Sequence, residues 1–194
     1  EESLFTIDAN TGKLTFKDDP DYESIKKLNG TTLKFTTNYS SQLVDASFFL
    51  EIYDNQNETN NSTPITADNF QQYVNDGSYN NTLIHRLVSD FIIQGGGYYW
   101  PSIASNKIGG YPSKVRSKGE IINEFRNSNL MGTIAMAKIS GQPNSATSEW
   151  FINLSDNKNL DSQNEGFTVF GHLLGDGIKN PLLLNNQKTY NVNY

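Results

Sequence analysis

The 194-residue chain is predicted to be a mainly β protein, a closed antiparallel barrel capped by one or two helices. Three observations lead there. Short stretches of alternating apolar and polar residues recur along the chain, divided by clusters of Gly, Asn, Asp and Ser. Only one stretch carries a clear helical period. Apolar residues make up 36 % and aromatic residues 12 % of the chain, enough for a sizeable core. Many strands with few helices favour a barrel over an α/β sheet.

The elements follow in order. Phe5-Thr6-Ile7-Asp8 and Lys13-Leu14-Thr15-Phe16 alternate around Asn10-Thr11-Gly12, the pattern of a hairpin. Residues 32–37 and 46–53 read as the next strand pair, and 54–63 as a polar loop without period. Thr63-Pro64 then offers an N-cap and a first-position Pro. Ala67, Phe70 and Val74, with Tyr73 beside them, give this helix an apolar face, and Asp76-Gly77 ends it. Strands are predicted over 82–87, 91–94, 132–137, 149–154 and 167–173, with a last one over 190–194. Asn180-Pro181-Leu182-Leu183-Leu184-Asn185 reads as a segment whose Pro interrupts a helix.

Composition excludes several functions. Net charge is −6 and the fifteen basic residues are scattered, so no phosphate-binding stripe forms. Without cysteine there is no disulfide, thiolate nucleophile or Cys-based zinc site. No run of about 18 apolar residues is present. Gly95-Gly96-Gly97 lacks the Lys-Ser/Thr of a phosphate loop and reads as a turn. His85 is read as a structural, hydrogen-bonded group, since only His172 is available as a second imidazole. Tyr98-Tyr99-Trp100 suggests glycan binding, or a loop packed over the barrel or flanking a groove. The chain begins Glu1-Glu2-Ser3 without an initiator Met, which points to processing or a longer parent. No metal or cofactor is expected.

Four ordered blocks carry the chemistry. The first is His85-Arg86-Leu87-Val88-Ser89-Asp90-Phe91-Ile92-Ile93-Gln94-Gly95-Gly96-Gly97. The second is Gly132-Thr133-Ile134-Ala135-Met136-Ala137. The third is Ser145-Ala146-Thr147-Ser148-Glu149-Trp150-Phe151-Ile152-Asn153. The fourth is Leu160-Asp161 with Phe167-Thr168-Val169-Phe170-Gly171. Their order and spacing, from about residue 32 to 171, resemble the cyclophilin family of peptidyl-prolyl cis-trans isomerases, bacterial type. The resemblance implies an eight-stranded barrel, no cofactor, and proline-containing peptides or unfolded proteins as partners. It implies Arg86, Gln94 and Phe91 as catalytic residues. It implies a substrate site of Ile92, Met136, Ala137, Lys138, Glu149, Phe151, Asn159, Leu160 and Phe167. Taken alone, the apolar members would be read as core. Trp150 and Phe151 are neighbours in one strand, so they face opposite ways.

The reaction is rotation about an X-Pro amide, whose barrier is about 18–20 kcal/mol from amide resonance. The catalyst need only hold the twisted amide better than the planar one. The twisted prolyl nitrogen regains a lone pair, which a permanently charged guanidinium can hydrogen-bond.

Some positions depart from the family's pattern. Lys138 stands where many members have Asn, Glu149 replaces the usual Gln, and Asn159 stands where many eukaryotic members carry Trp. The Asn159 difference implies weak binding of cyclosporin. Phe167 takes a place often held by His, or by an aromatic residue in bacterial types. The segment 1–28 is read as an N-terminal hairpin and linker, and 29–194 as the isomerase-like domain. Phe5-Thr6-Ile7-Asp8-Ala9-Asn10-Thr11-Gly12-Lys13-Leu14 with Asp21-Tyr22-Glu23 resembles part of a cadherin-like repeat. That start, with the acidic, Asn-rich composition, suggests a periplasmic, secreted or cell-surface setting within a larger multidomain chain, with the cytoplasm as the alternative. A non-catalytic proline-peptide clamp in such a surface protein is the competing functional reading.

Overall fold

A computed structural model describes residues 5–7, 14–16, 31–39, 44–54, 61–99 and 112–184. Its elements are β1 (Phe5–Ile7), β2 (Leu14–Phe16), β3 (Thr31–Tyr39), β4 (Val44–Ile52) and helix α1 (Pro64–Asn75), then β5 (Arg86–Val88), β6 (Ile92–Gly95), β7 (Tyr98–Tyr99) and β8 (Ser113–Lys114). β9 (Thr133–Met136), β10 (Trp150–Asn153), β11 (Val169–Leu173) and a short helix α2 (Lys179–Leu184) complete them. Short 3₁₀ turns cover Lys158–Asp161, Gln163–Glu165 and Gly175–Ile178.

Seven strands form one antiparallel sheet in the order β3-β4-β11-β9-β10-β6-β5. β1 and β2 pair antiparallel by themselves, as the alternation of their residues predicts, with Phe5 opposite Phe16. The turn between them and the strand expected over 190–194 lie outside the described residues. The small β7–β8 pair is an addition that the sequence pattern does not signal.

The sheet separates two apolar clusters. On one face Phe48, Leu50, Ile52, Ile93, Ile134, Met136, Trp150, Ile152 and Phe170 pack with Ala67 and Phe70 of α1. The other holds Ile92, Ala135, Phe151, Leu160 and Val169, with Phe91, Ala137, Phe167 and Tyr53 half-buried around them. Along β6, β9 and β10 the two sets alternate, as the two-residue period of a strand requires.

α1 forms where Pro64, Ala67, Phe70 and Tyr73 predict it, but its N-terminus is closed differently. The Thr63 side chain makes no capping bond. Instead the Glu124 carboxylate, 58 residues away from Thr66, accepts from the Thr66 amide (2.7 Å) and hydroxyl (2.8 Å). An anion there satisfies orphan donors and suits the helix dipole. A second correction concerns the C-terminal segment. Pro181 does not interrupt a helix; it is the third residue of α2. A first-turn residue needs no intrahelical N–H bond, so Pro is tolerated there.

Candidate active site

The site is built on one row of residues in register. Arg86 on β5 lies opposite Gln94 on β6. Gln94 lies opposite Phe151 on β10, and Phe151 opposite Ala135 on β9. Ala135 lies opposite Val169 on β11. Directly paired residues project on the same face of a sheet. The row therefore carries a guanidinium at one end and an apolar floor at the other.

The apolar part is a buried floor edged by aromatic rings. Ile92 and Phe151 are each 3 % exposed and form the floor with Leu160. Phe91 and Phe167 are half-buried beside them, and the Phe167 ring meets Phe151 edge-on at 5.7 Å. Ala137 lies on the same side of the strand line as Ala135, and its amide donates to the Glu149 carbonyl (2.9 Å).

The polar part follows the same row. Arg86 is exposed, and its Nη1 donates to Gln94 Oε1 (3.2 Å). Gln94 Nε2 donates in turn to Glu149 Oε2 (2.7 Å). His85 Nε2 lies 3.4 Å from the same carboxylate oxygen. The hydrogen bond from His85 and that from Gln94 hold the Glu149 carboxyl below its ordinary value, against the opposing effect of burial. Residues 95–97 make room for this neighbourhood. Gly96 has φ +77°, and a Cβ there would stand 2.5 Å from the Ser148 carbonyl oxygen. A Cβ on Gly97 would stand 2.7 Å from Glu149 Oε1.

Lys138 closes the opposite rim. Its Nζ donates to the carbonyls of Asn164 (2.9 Å) and Gly166 (2.6 Å), and sits 5.0 Å from the centre of the Phe167 ring. Burial lowers its pKa to about 8, although Glu165 pulls the other way. Asn159 is exposed on the 3₁₀ turn that buries Leu160.

A polar network that the sequence does not announce supports the aromatic residues through their backbone. Asn157 Nδ2 donates to the Phe91 carbonyl (2.8 Å) and to Asn153 Oδ1 (2.8 Å). Asn153 Nδ2 reaches Asn129 Oδ1 (3.3 Å), and Asn129 Nδ2 donates to the Phe167 carbonyl (3.1 Å) and to Asp161 Oδ1 (2.9 Å). Phe91, Phe167 and the turn bearing Leu160 are thus tied together through three buried Asn side chains. Burial raises the Asp161 carboxyl, but hydrogen bonds from Ser128 and Asn129 outweigh it and leave the pKa below the ordinary value.

One expected site residue is corrected. Met136 is 1 % exposed and belongs to the helix-facing cluster, so its side chain is on the wrong side of the sheet to meet a peptide. The other expected residues lie on the second face or at its rim. Asn129, Asn153 and Asn157 are neighbours that sequence reasoning did not assign, whereas His85, read there as a structural hydrogen-bonded group, lies against Glu149.

The family model described as "Cyclophilin type peptidyl-prolyl cis-trans isomerase/CLD" matches residues 57–190. The chain belongs to the cyclophilin family. Among curated cyclophilin-family relatives, a peptidyl-prolyl cis-trans isomerase of Acinetobacter baylyi is 40 % identical over 119 residues, 59 % of this chain and 57 % of that protein. Peptidyl-prolyl cis-trans isomerase B of Escherichia coli is 38 % identical over 122 residues, 59 % of this chain and 67 % of that protein. The aligned stretch thus spans little more than half of the Acinetobacter protein. A Cryptosporidium parvum cyclophilin-type isomerase, crystallised in the presence of the dipeptide Ala-Pro, aligns with TM-score 0.51 and 26 % identity, covering 72 % of this chain and 79 % of that one.

Proposed function

We propose that the chain is a peptidyl-prolyl cis-trans isomerase acting on X-Pro bonds of peptides and unfolded proteins, with the second face of the sheet as its active site. The observation that carries the reading is the in-register row of Arg86, Gln94 and Phe151, with an aromatic-edged apolar floor at one end and a guanidinium at the other. Similarity to isomerases at 38–40 % identity supports it.

The proline ring seats on Phe151, Ile92 and Leu160, between Phe91 and Phe167. An apolar, aromatic lining suits a saturated ring and leaves the amide at the pocket mouth. There Arg86 donates to the prolyl nitrogen as the amide twists and conjugation is lost. Gln94 aims that guanidinium and offers its amide to the substrate backbone. Ala137 lets the peptide run close to β9, and Lys138, Glu149 and Asn159 flank its path. No covalent step and no cofactor is required: stabilisation falls on the twisted state alone.

As part of the same proposal, the seven-stranded sheet belongs to a closed eight-stranded barrel around the helix-facing cluster, with α1 capping one end. The cadherin-like segment supports a periplasmic, secreted or surface location in a larger chain, and fractionation of the source cells tests it: recovery in the cytosolic fraction alone would sink it. That segment also favours a second reading, a proline-peptide clamp that binds without turning over.

One experiment separates the readings. Exchange of an Ala-Pro peptide is followed by NMR with wild type and with Arg86→Ala. Acceleration by wild type that falls about 10²–10³-fold in the variant, about 3–4 kcal/mol of transition-state binding, supports catalysis. Binding without acceleration by folded wild type supports the clamp.

A further inference from the structure

Glu149 has a role that its position beside the groove does not by itself suggest. Its Oε2 already accepts from Gln94 Nε2 at 2.7 Å and lies 3.4 Å from His85 Nε2. Its side chain lies on the backbone of Gly97, where any larger residue would collide with it. The carboxylate is therefore seated from below, engaged from the side, and turned toward β6.

The consequence is chemical. A Gln side chain can present either its oxygen or its nitrogen to a neighbour, and the two ends are nearly alike in shape. An ionised carboxylate only accepts and a guanidinium only donates. Held between Glu149 and Arg86, the Gln94 amide has one arrangement that satisfies both: nitrogen toward Glu149, oxygen toward Arg86. A neutral amide at position 149 would enforce neither end, because it can donate as well as accept. The exposed Arg86 side chain has many rotamers to lose, so a fixed acceptor at its base reduces what must be ordered in the transition state.

We propose that Glu149 is a positioning residue: seated on Gly97 and braced by His85, it holds the Gln94 amide with its oxygen toward Arg86 and thereby sets the approach of the guanidinium to the prolyl nitrogen. This rests on the isomerase reading for its catalytic consequence, but not for the contact itself. The titratable and charged groups facing the carboxylate are His85, on the segment before β5, and Lys114 on β8, with Arg86 reached through Gln94.

The test uses the full chain and an Ala-Pro peptide. Glu149→Leu keeps bulk over Gly97 and accepts no hydrogen bond. Its kcat is expected to fall about tenfold, the equivalent of about 1.4 kcal/mol, with KM within about twofold. In a Gln94→Ala background the same change is expected to add nothing. An unchanged kcat, a loss confined to KM, or losses that add would overturn the proposal. A second readout needs neither a variant nor turnover. The Gln94 side-chain ¹H–¹⁵N resonance of wild type is followed from about pH 7 to pH 3, with the His85 and Lys114 resonances followed alongside. It is expected to shift with Glu149 as that carboxyl titrates, below the usual carboxylate range. A Gln94 signal that does not follow Glu149 overturns the contact and the proposal with it. A signal that follows Glu149 in a chain without isomerase activity upholds the contact and overturns only the isomerase reading.

Discussion

The two faces of the central sheet are made by the same strands yet are built to different rules. On the helix side, Ile134, Ile152, Trp150 and Phe170 are buried against α1 in an apolar cluster. On the other side the buried floor is small, its aromatic walls are half-exposed, and it is bordered by Arg86, Gln94, Glu149 and Lys138. Asn129, Asn153 and Asn157 replace apolar packing at one end of that floor. A strand's alternation assigns each neighbour to one face or the other, so stability and chemistry can be divided residue by residue. The helix-side face carries most of the apolar burial. The open face keeps a small apolar floor and accepts polar scaffolding, which is worth less in stability but fixes geometry.

The largest effect is expected on the helix side. Phe70 is fully buried and its ring lies 4.8 Å from that of Phe170. Phe70→Ala should lower the unfolding free energy by about 3–5 kcal/mol, read from urea denaturation. A loss below about 1 kcal/mol would mean that this cluster is not the main core.

A smaller effect is expected where the two rules meet. Asn157→Ala removes a donor from the Phe91 carbonyl and leaves Asn153 Oδ1 without its Asn157 partner in a buried setting. The cost should be about 1–3 kcal/mol. Because the Phe91 carbonyl loses its Asn157 side-chain donor, KM should rise as well. Lost stability with unaltered KM would show that the network serves the fold alone.

The smallest effect concerns Lys138, and its sign follows from burial, which lowers its pKa from the ordinary 10.5 to about 8. Between those values the unfolded chain holds more protons than the folded one, so this group makes stability rise with pH across that window. Lys138→Met should flatten the rise in a comparison of unfolding midpoints from about pH 8 to pH 10. Identical slopes for wild type and variant would contradict the burial of this amine.

Much of this arrangement was legible in the sequence because it is local. The opposite orientations expected for adjacent Trp150 and Phe151 place them in the two different clusters. The same rule carried a warning for Met136: placed beside Ala137 in one strand, it could not share that residue's face. The motif resemblance overrode the period there. What sequence reasoning missed depends on long-range contact. Nothing near Thr63 announces that Glu124 will close the helix, and no spacing links Asn129 to Asn153 or Asp161. Glu149 was visible as a departure from the family's Gln, but its engagement with Gln94 and its seat on Gly97 appear only when β6 and β10 are in register.

The division of labour between the faces is tested most directly by measuring Arg86→Ala for activity and stability in the same preparation. Arg86 is exposed and contributes no apolar burial to either cluster. The expected result is a loss of about 10²–10³-fold in kcat/KM for an Ala-Pro peptide, with an unfolding free energy within about 0.5 kcal/mol of wild type. Retained activity, or a loss of activity matched by a loss of stability comparable to that of Phe70→Ala, would contradict it.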